Sequence, residues 1–278
     1  MRTIKLTLAY DGTRYVGWQR QAEGASIQGL LEDALAEIDG EVVPVVGAGR
    51  TDAGVHALGQ VASFHLRHTM PVETLVRALN ARLPEDVRVL RAEEAEPGFH
   101  ARYSARAKTY RYRLSVGAAA DPFGWRFVWQ VPTRLDPDAM QQALSTMVGQ
   151  HDFASFQGAG SSVRTTVRTV MTARVLPAPS GSDGSLAAPV LGAPVLHVEI
   201  TADGFLRHMV RTIVGTVVEV GQGRRSPAEV AEALAARDRA RAGPTAPARG
   251  LFLVGVDYGT AQVGYHEGLH FHRGPHGA

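Results

Sequence analysis

Residues 42–66 read VVPVVGAGRTDAGVHALGQVASFHL: two apolar, β-branched runs around a glycine-rich loop. Val42–Val46 reads as a strand, and Pro44, which lacks an N–H, places it at an edge or a bulge. Ala57–Leu66 reads as a second strand with Val61, Phe64 and Leu66 apolar. Between them, Gly47–His56 (GAGRTDAGVH) sets Arg50 and Asp52 among small residues. A carboxylate between two apolar strands is costly unless it has a partner or a task. Small neighbours also let another backbone or a ligand approach closely.

Working outward, the same mixture recurs. IKLTLAYDG alternates Ile4, Leu6 and Leu8 with polar positions, a half-buried strand ending in an Asp-Gly turn. Ser26 caps a helix that Gly40 ends, and Pro71 opens another over PVETLVRALNARL. The second half repeats the scheme. Lys108–Leu114 is an alternating strand, with Lys108, Tyr110 and Tyr112 on one face and Thr109, Arg111 and Arg113 on the other. Asp136 caps a helix opened by Pro137 and closed by Gly149. VRTVMTARVL and VLHVEITA are strands, Phe205–Val220 is a helix, Ser226 and Glu229 form a capping box, and LFLVGVDY is a closing strand. Residues 177–194 form a Pro/Gly/Ser segment without periodicity, read as a mobile hairpin loop. The order lacks the regular βα alternation of a doubly wound fold. It predicts an α+β protein of two pseudo-duplicated halves, 1–104 and 105–278, sharing a mixed, largely antiparallel sheet.

The chain has 278 residues, 45% of them hydrophobic, enough for a sizeable core. It has no run of about 18 apolar residues, so no membrane span is implied. It has no cysteine, which excludes disulfides and thiolate chemistry, and a cytoplasmic location is the default. Net charge is +2, and lysine occurs only at Lys5 and Lys108. Arginine forks suit phosphate and base stacking, although GC-rich coding would give the same bias.

The loop is not a dinucleotide fingerprint, because Asp52 occupies the position of the third glycine, and no Gly-Lys-Ser/Thr follows for a P-loop. Paired carboxylates are missing nearby. Asp52, His56 and His65 are too few for a metal at this spacing. Two readings stay open: a hairpin turn with an Arg50–Asp52 surface pair, or a working carboxylate.

GRTDAGVHALGQ, together with YDGTRYVGWQRQ, FHARYSARAKTYRYRL, DFASF, GFLRHMVRTIVGTVVEVG and GLFLVGVDY, resembles the tRNA pseudouridine synthases of the TruA family, in family order from Ala9 to Tyr258. The resemblance implies isomerisation of uridine to pseudouridine at nucleotides 38 to 40 of the tRNA anticodon arm. The N1–C1′ bond breaks, the uracil turns, and C5 bonds to C1′, with no cofactor or metal. It implies a basic cleft between the halves and a homodimer in which one tRNA, held by its anticodon stem-loop and body, spans both subunits. The family's catalytic aspartate falls on Asp52, its active-site tyrosine on Tyr110, and the arginine paired with the aspartate on Arg211. On the predicted helix Arg207 shares a face with Arg211. Arg50 is then free to contact RNA or fill the space of a flipped nucleotide, and Leu251 matches the apolar pocket wall. The sequence departs from the family pattern at Asp203-Gly204, where an Asn-Ala type pair is usual. It departs again at Arg207, where a histidine is common, and at Arg249, where the family often has His or Glu. These positions bear on RNA contacts. A non-catalytic tRNA binder would have no use for Asp52. An enzyme of free nucleosides would need no track of arginines such as Arg14, Arg20, Arg102, Arg106 and Arg111.

Overall fold

A computed structural model describes residues 1–117, 122–160, 163–178 and 194–259. The N-terminal half contributes β1 (Arg2–Tyr10), α1 (Ile27–Asp39), β2 (Val46–Gly47), β3 (His56–Leu66), α2 (Val72–Arg82) and β4 (Val87–Glu94). The C-terminal half contributes β5 (Ala107–Val116), β6 (Trp129–Val131), α3 (Pro137–Ser145), β7 (Gly149–Asp152), β8 (Val167–Pro177) and β9 (Val195–Ala202). It ends with α4 (Met209–Gly221), α5 (Pro227–Ala236) and β10 (Leu251–Asp257). The strands form one sheet in the order β4-β1-β3-β10-β5-β9-β8-β7, with β2 added to β3 and β6 to β5. Only β10–β3 and β5–β6 pair parallel. The protein is α+β with a mixed, largely antiparallel sheet common to both halves.

The period-2 pattern decides which face is covered. Ile4, Leu6, Leu8 and Tyr10 of β1 are buried, while the residues between them are half-exposed. They join Leu31 and Leu35 of α1, Leu75 and Leu79 of α2, Tyr110 and Tyr112 of β5, and Ile213 and Val217 of α4 in one apolar cluster. Met140 and Leu144 of α3 and Val230 of α5 join the same cluster, so the helices among the described residues pack on this covered side of the sheet. Local signals set their ends: Ser26 Oγ accepts from Gly29 N–H, Gly40 adopts φ 80°, and the Ser226–Glu229 box is complete.

Three expectations change. Val42–Val46 is not a strand: only Val46 and Gly47 pair, with Ser63 and Ala62, while Val43 and Val45 turn into the core. Pro44 offers no N–H to a ladder. The helix expected from Phe205 begins at Met209, because His208 takes a left-handed conformation (φ 61°). Gly149 does not close α3, which ends at Ser145; with φ 110° it opens β7. Strands β4, β6 and β7 carry too few residues or too mixed a pattern to stand out beforehand. The loop read at 177–194 falls mostly on 179–193, outside the described residues; the strands on either side pair antiparallel, Pro177 opposite Leu196.

Candidate active site

The Gly47–His56 loop is a rigid connection whose glycines serve backbone packing. The Tyr10 hydroxyl and Thr51 Oγ1 lie 2.8 Å apart, Trp18 N–H donates to Thr51 C=O, and Gln60 Nε2 donates to Gly49 C=O at 2.8 Å. Asp52 forms an isolated antiparallel bridge with Gly17. A Cβ on Gly17 would stand 2.5 Å from Thr51 O, and its φ of 111° already requires glycine. A Cβ on Gly12 would stand 2.0 Å from Val55 O, and one on Gly47 2.4 Å from the Trp18 ring. YDGTRYVGW and GAGRTDAGV are thus two halves of one packed unit. The bareness expected to admit a ligand is taken up largely by the chain itself.

His56 closes that unit. Its Nδ1 accepts from Gly12 N–H at 3.1 Å, and its Nε2 lies 3.1 Å from the carbonyls of both Arg126 and Arg249. This pattern suits a neutral ring protonated on Nε2. Burial lowers its pKa against the opposing pull of Asp11, 3.1 Å from Nδ1. The histidine is a structural tie between β3, β10 and the segment before β6. Among the described residues, no group of three or more His, Cys, Asp or Glu could hold a metal ion.

Asp52 presents its carboxylate to the start of α4. Arg211 Nη1 lies 3.3 Å from Oδ2, while Arg211 Nε donates to Ala246 C=O at 2.8 Å, so the guanidinium is held from both sides. His208 Nε2 lies 3.5 Å from the same oxygen. The carboxylate remains 32% exposed, against 16% for Arg211, so a reacting group can reach it. His208 is fixed by strain and by fit: its left-handed backbone is rare for a residue with a Cβ, and a Cβ on Gly158 would meet Nδ1 at 2.5 Å. Burial lowers the His208 pKa; Arg211, Arg207 and Arg239 lower it further, and Asp52 opposes them. The ring is therefore neutral near pH 7, and Asp52 faces one cation and one neutral imidazole.

Tyr110 is buried, with Phe205 edge-on at 5.0 Å between ring centroids. Burial raises its pKa far above the ordinary tyrosine range, and the charges of Tyr10 and Asp52 add to this. Its hydroxyl bonds to no protein group among the described residues. Leu253 pairs with Tyr110 and Leu251 with Tyr112, and both leucines are buried on the helix-covered face.

The remaining expected residues are placed differently. Arg50 is exposed and forms no ion pair among the described residues, so the Arg50–Asp52 pair is not formed. Arg207 precedes α4 instead of sharing a helical face with Arg211; it is exposed and donates to Ala159 C=O. Several arginines of the presumed track are already paired: Arg14 with Asp86, Arg20 with Glu32 and Asp33, Arg111 with Glu199. His208 escaped the sequence reading because its ring reaches Asp52 from a left-handed residue ahead of α4, where a continuous helix from Phe205 was expected.

Comparison with known proteins matches the sequence to one family. Residues 7–104 and 143–259 match the family model described as tRNA pseudouridine synthase. The chain is 47% identical to the tRNA pseudouridine synthase A of Moorella thermoacetica over 93% of its own length and 100% of that protein. It is 46% identical to the protein of the same name from Myxococcus xanthus, over 93% and 92% of the two chains. For that of Syntrophotalea carbinolica the identity is 43%, over 93% and 97%. Both matched segments contain parts of the site: Asp52 lies in the first, and Arg211 with its helix lies in the second. With its packed glycine loop, its Asp52–Arg211 contact and these relatives, the chain belongs to the tRNA pseudouridine synthase family.

Proposed function

We propose that this protein is an isomerase that converts uridine to pseudouridine at positions 38–40 of the tRNA anticodon arm, with Asp52 as the catalytic carboxylate. The net reaction breaks the N1–C1′ bond and forms C5–C1′, while C5 gives up its hydrogen and N1 gains one. Atoms and electrons balance without a redox partner, so no cofactor or metal is called for. The observation that carries this reading is the accessible Asp52 carboxylate held 3.3 Å from Arg211 within the packed loop. In a cavity that accepts a flat base, the guanidinium offsets the cost of keeping a carboxylate charged. The Tyr110 hydroxyl, which keeps its proton through burial, is suited to lie against the detached uracil. Leu251 forms the apolar wall, and Arg50 and Arg207 are the exposed cations that contact RNA.

The same reading includes a basic cleft between halves 1–104 and 105–278, a cytoplasmic location and a homodimer that engages the anticodon stem-loop and body of one tRNA. No helix among the described residues is long and apolar enough to cross a membrane. Tritium release from C5-labelled uridine in tRNA tests the reaction. Release by the wild-type protein and its absence in Asp52→Asn are expected; equal release by both would remove Asp52 from the chemistry.

A further inference from the structure

Between β4 and β5 the chain makes a tight turn, His100–Ser104, that presents an aromatic ring to solvent. Tyr103 is 77% exposed. Such a side chain ordinarily moves freely, but this one is mounted. His100 Nδ1 accepts from the backbone N–H groups of both Arg102 and Tyr103, at 3.2 Å each. Ser104 N–H donates to His100 C=O, and Ser104 Oγ accepts from His100 N–H. Ala101, fully buried, is tied by Ser63 Oγ on β3 and by the Tyr258 hydroxyl after β10. The imidazole of His100 then stacks on the Tyr103 ring, 4.3 Å between centroids and 28° between planes. The Arg102 guanidinium lies 5.7 Å from the same ring.

Holding an exposed aromatic ring in one place gives the fold little, since the ring buries almost nothing. Its surroundings indicate what would use it. Arg102 and Arg106 are exposed on either side in sequence. Lys108 lies close enough to Arg102 that, after burial, the charge of Arg102 is the next largest cause lowering its pKa. The Lys108 stem in turn runs beside Gly49, where a Cβ would stand 3.6 Å from Lys108 Cδ. Gly49 adjoins Arg50 in the loop that carries Asp52. The ring therefore has Arg102 at its rim, and cations continue through Lys108, which Asp203 partly offsets, to the active-site loop. A rigid aromatic face backed by a second ring, with guanidinium groups at its rim, is the arrangement that takes an unstacked base of single-stranded nucleic acid.

We propose that Tyr103, backed by His100 and flanked by Arg102, is a stacking platform for an unpaired base of the RNA substrate near the uridine that reacts. The inference rests on the functional reading above, and its test measures binding alone. Equilibrium binding of unmodified transcribed tRNA is measured over a series of salt concentrations for the wild-type protein, Tyr103→Ala, Tyr103→Phe and Arg102→Ala. Tyr103→Ala weakens binding about tenfold, within the range for loss of one base–aromatic stack. Its dependence of log affinity on log salt is unchanged, because stacking releases no counterion. Tyr103→Phe binds as wild type, and Arg102→Ala both weakens binding and makes the salt dependence shallower. Wild-type affinity in Tyr103→Ala overturns the platform while leaving the isomerase reading intact. A change of oligomeric mass in Tyr103→Ala also overturns it, since the ring would then face a second copy of the chain. A wild-type protein that does not bind tRNA removes both readings together.

Discussion

The two faces of β5 bury polar groups for opposite ends. On the helix-covered face stand Lys108, Tyr110 and Tyr112; on the other stand Thr109, Arg111 and Arg113. On the second face the members of two cross-strand pairs satisfy each other. Arg111 donates twice to Glu199 Oε2, at 3.0 and 2.9 Å, and Thr109 Oγ1 lies 2.9 Å from Thr201 Oγ1 directly across the ladder. Arg113 and His197, register partners, are both nearly inaccessible. Burial holds Arg113 down to about 10 and His197 down to about 4, with neighbouring arginine charge adding to both. On the first face Tyr112 donates to Pro247 C=O at 2.7 Å, while Tyr110 lies within the field of the partly open Asp52 carboxylate and its hydroxyl has no protein partner among the described residues. Cross-strand pairing satisfies Arg111 and Thr109 on one surface, where the buried His197 Nε2 lacks a hydrogen-bond partner among the described residues; on the other surface it is the Tyr110 hydroxyl, beside Asp52, that is left open.

The largest expected effect tests the open face. Asp52→Asn is isosteric but not a nucleophile, so single-turnover isomerisation should fall by about 10³-fold or more. Its urea midpoint should stay at the wild-type value. A large loss of stability would instead place Asp52 among the structural pairs.

The next effect belongs to the opposite face. His197 is neutral in the fold down to about pH 4, whereas an unfolded histidine protonates near 6.5. Its folded pKa is depressed, so its contribution is complete above pH 6.5 and is lost as pH falls toward 4. That 2.5-unit gap corresponds to about 3 kcal/mol. Urea unfolding of the wild-type protein and His197→Leu at pH 7.5 and pH 4 checks this. The loss on acidification should be smaller in the variant by roughly that amount, and an identical loss in both would refute it.

His208→Asn sharpens the comparison. Asparagine tolerates the left-handed backbone but cannot place a ring nitrogen by Asp52. The saturated single-turnover rate should fall about tenfold with tRNA affinity unchanged, a little over 1 kcal/mol in the transition state. An unchanged rate would assign His208 to the scaffold beside His56. The smallest effect is expected from Glu199→Gln, which neutralises one partner of a part-exposed pair and should cost about 1 kcal/mol or less, with normal activity. A deficit in turnover here would mean that the two faces are coupled.

How much of this was legible in the sequence follows from the range of each signal. Alternation marked β1, β3, β5, β9 and β10, and side-chain caps marked α1, α3 and α5, because both signals lie within a few residues. Asp52, Tyr110 and Arg211 were legible through the family motifs, not through spacing. The pairing of Arg14 with Asp86 spans 72 positions and that of Arg111 with Glu199 spans 88, so both looked like free cations. The left-handed turn at His208 was hidden because its cause, the close fit to Gly158, lies 50 residues upstream. Gly12 looked like a turn former, yet its task is contact with the backbone of Val55, 43 positions on, as Gly17 meets that of Thr51, 34 positions on.

The insertion of β10 between β3 and β5 also sets an order of events in time. It pairs with His56–Ala57 on one side and Ala107–Tyr112 on the other, so the two halves of the sheet have no direct strand contact until Leu251–Asp257 has been made. At roughly 5–20 residues per second, synthesis of the chain between β3 and β10 takes about 10 to 40 s. Over that interval β3, and β5 once it has been made, carries an open edge on the side that β10 will occupy. A chain that still lacks Leu251–Asp257 has therefore not joined the strand that follows the Asp52 loop to β5.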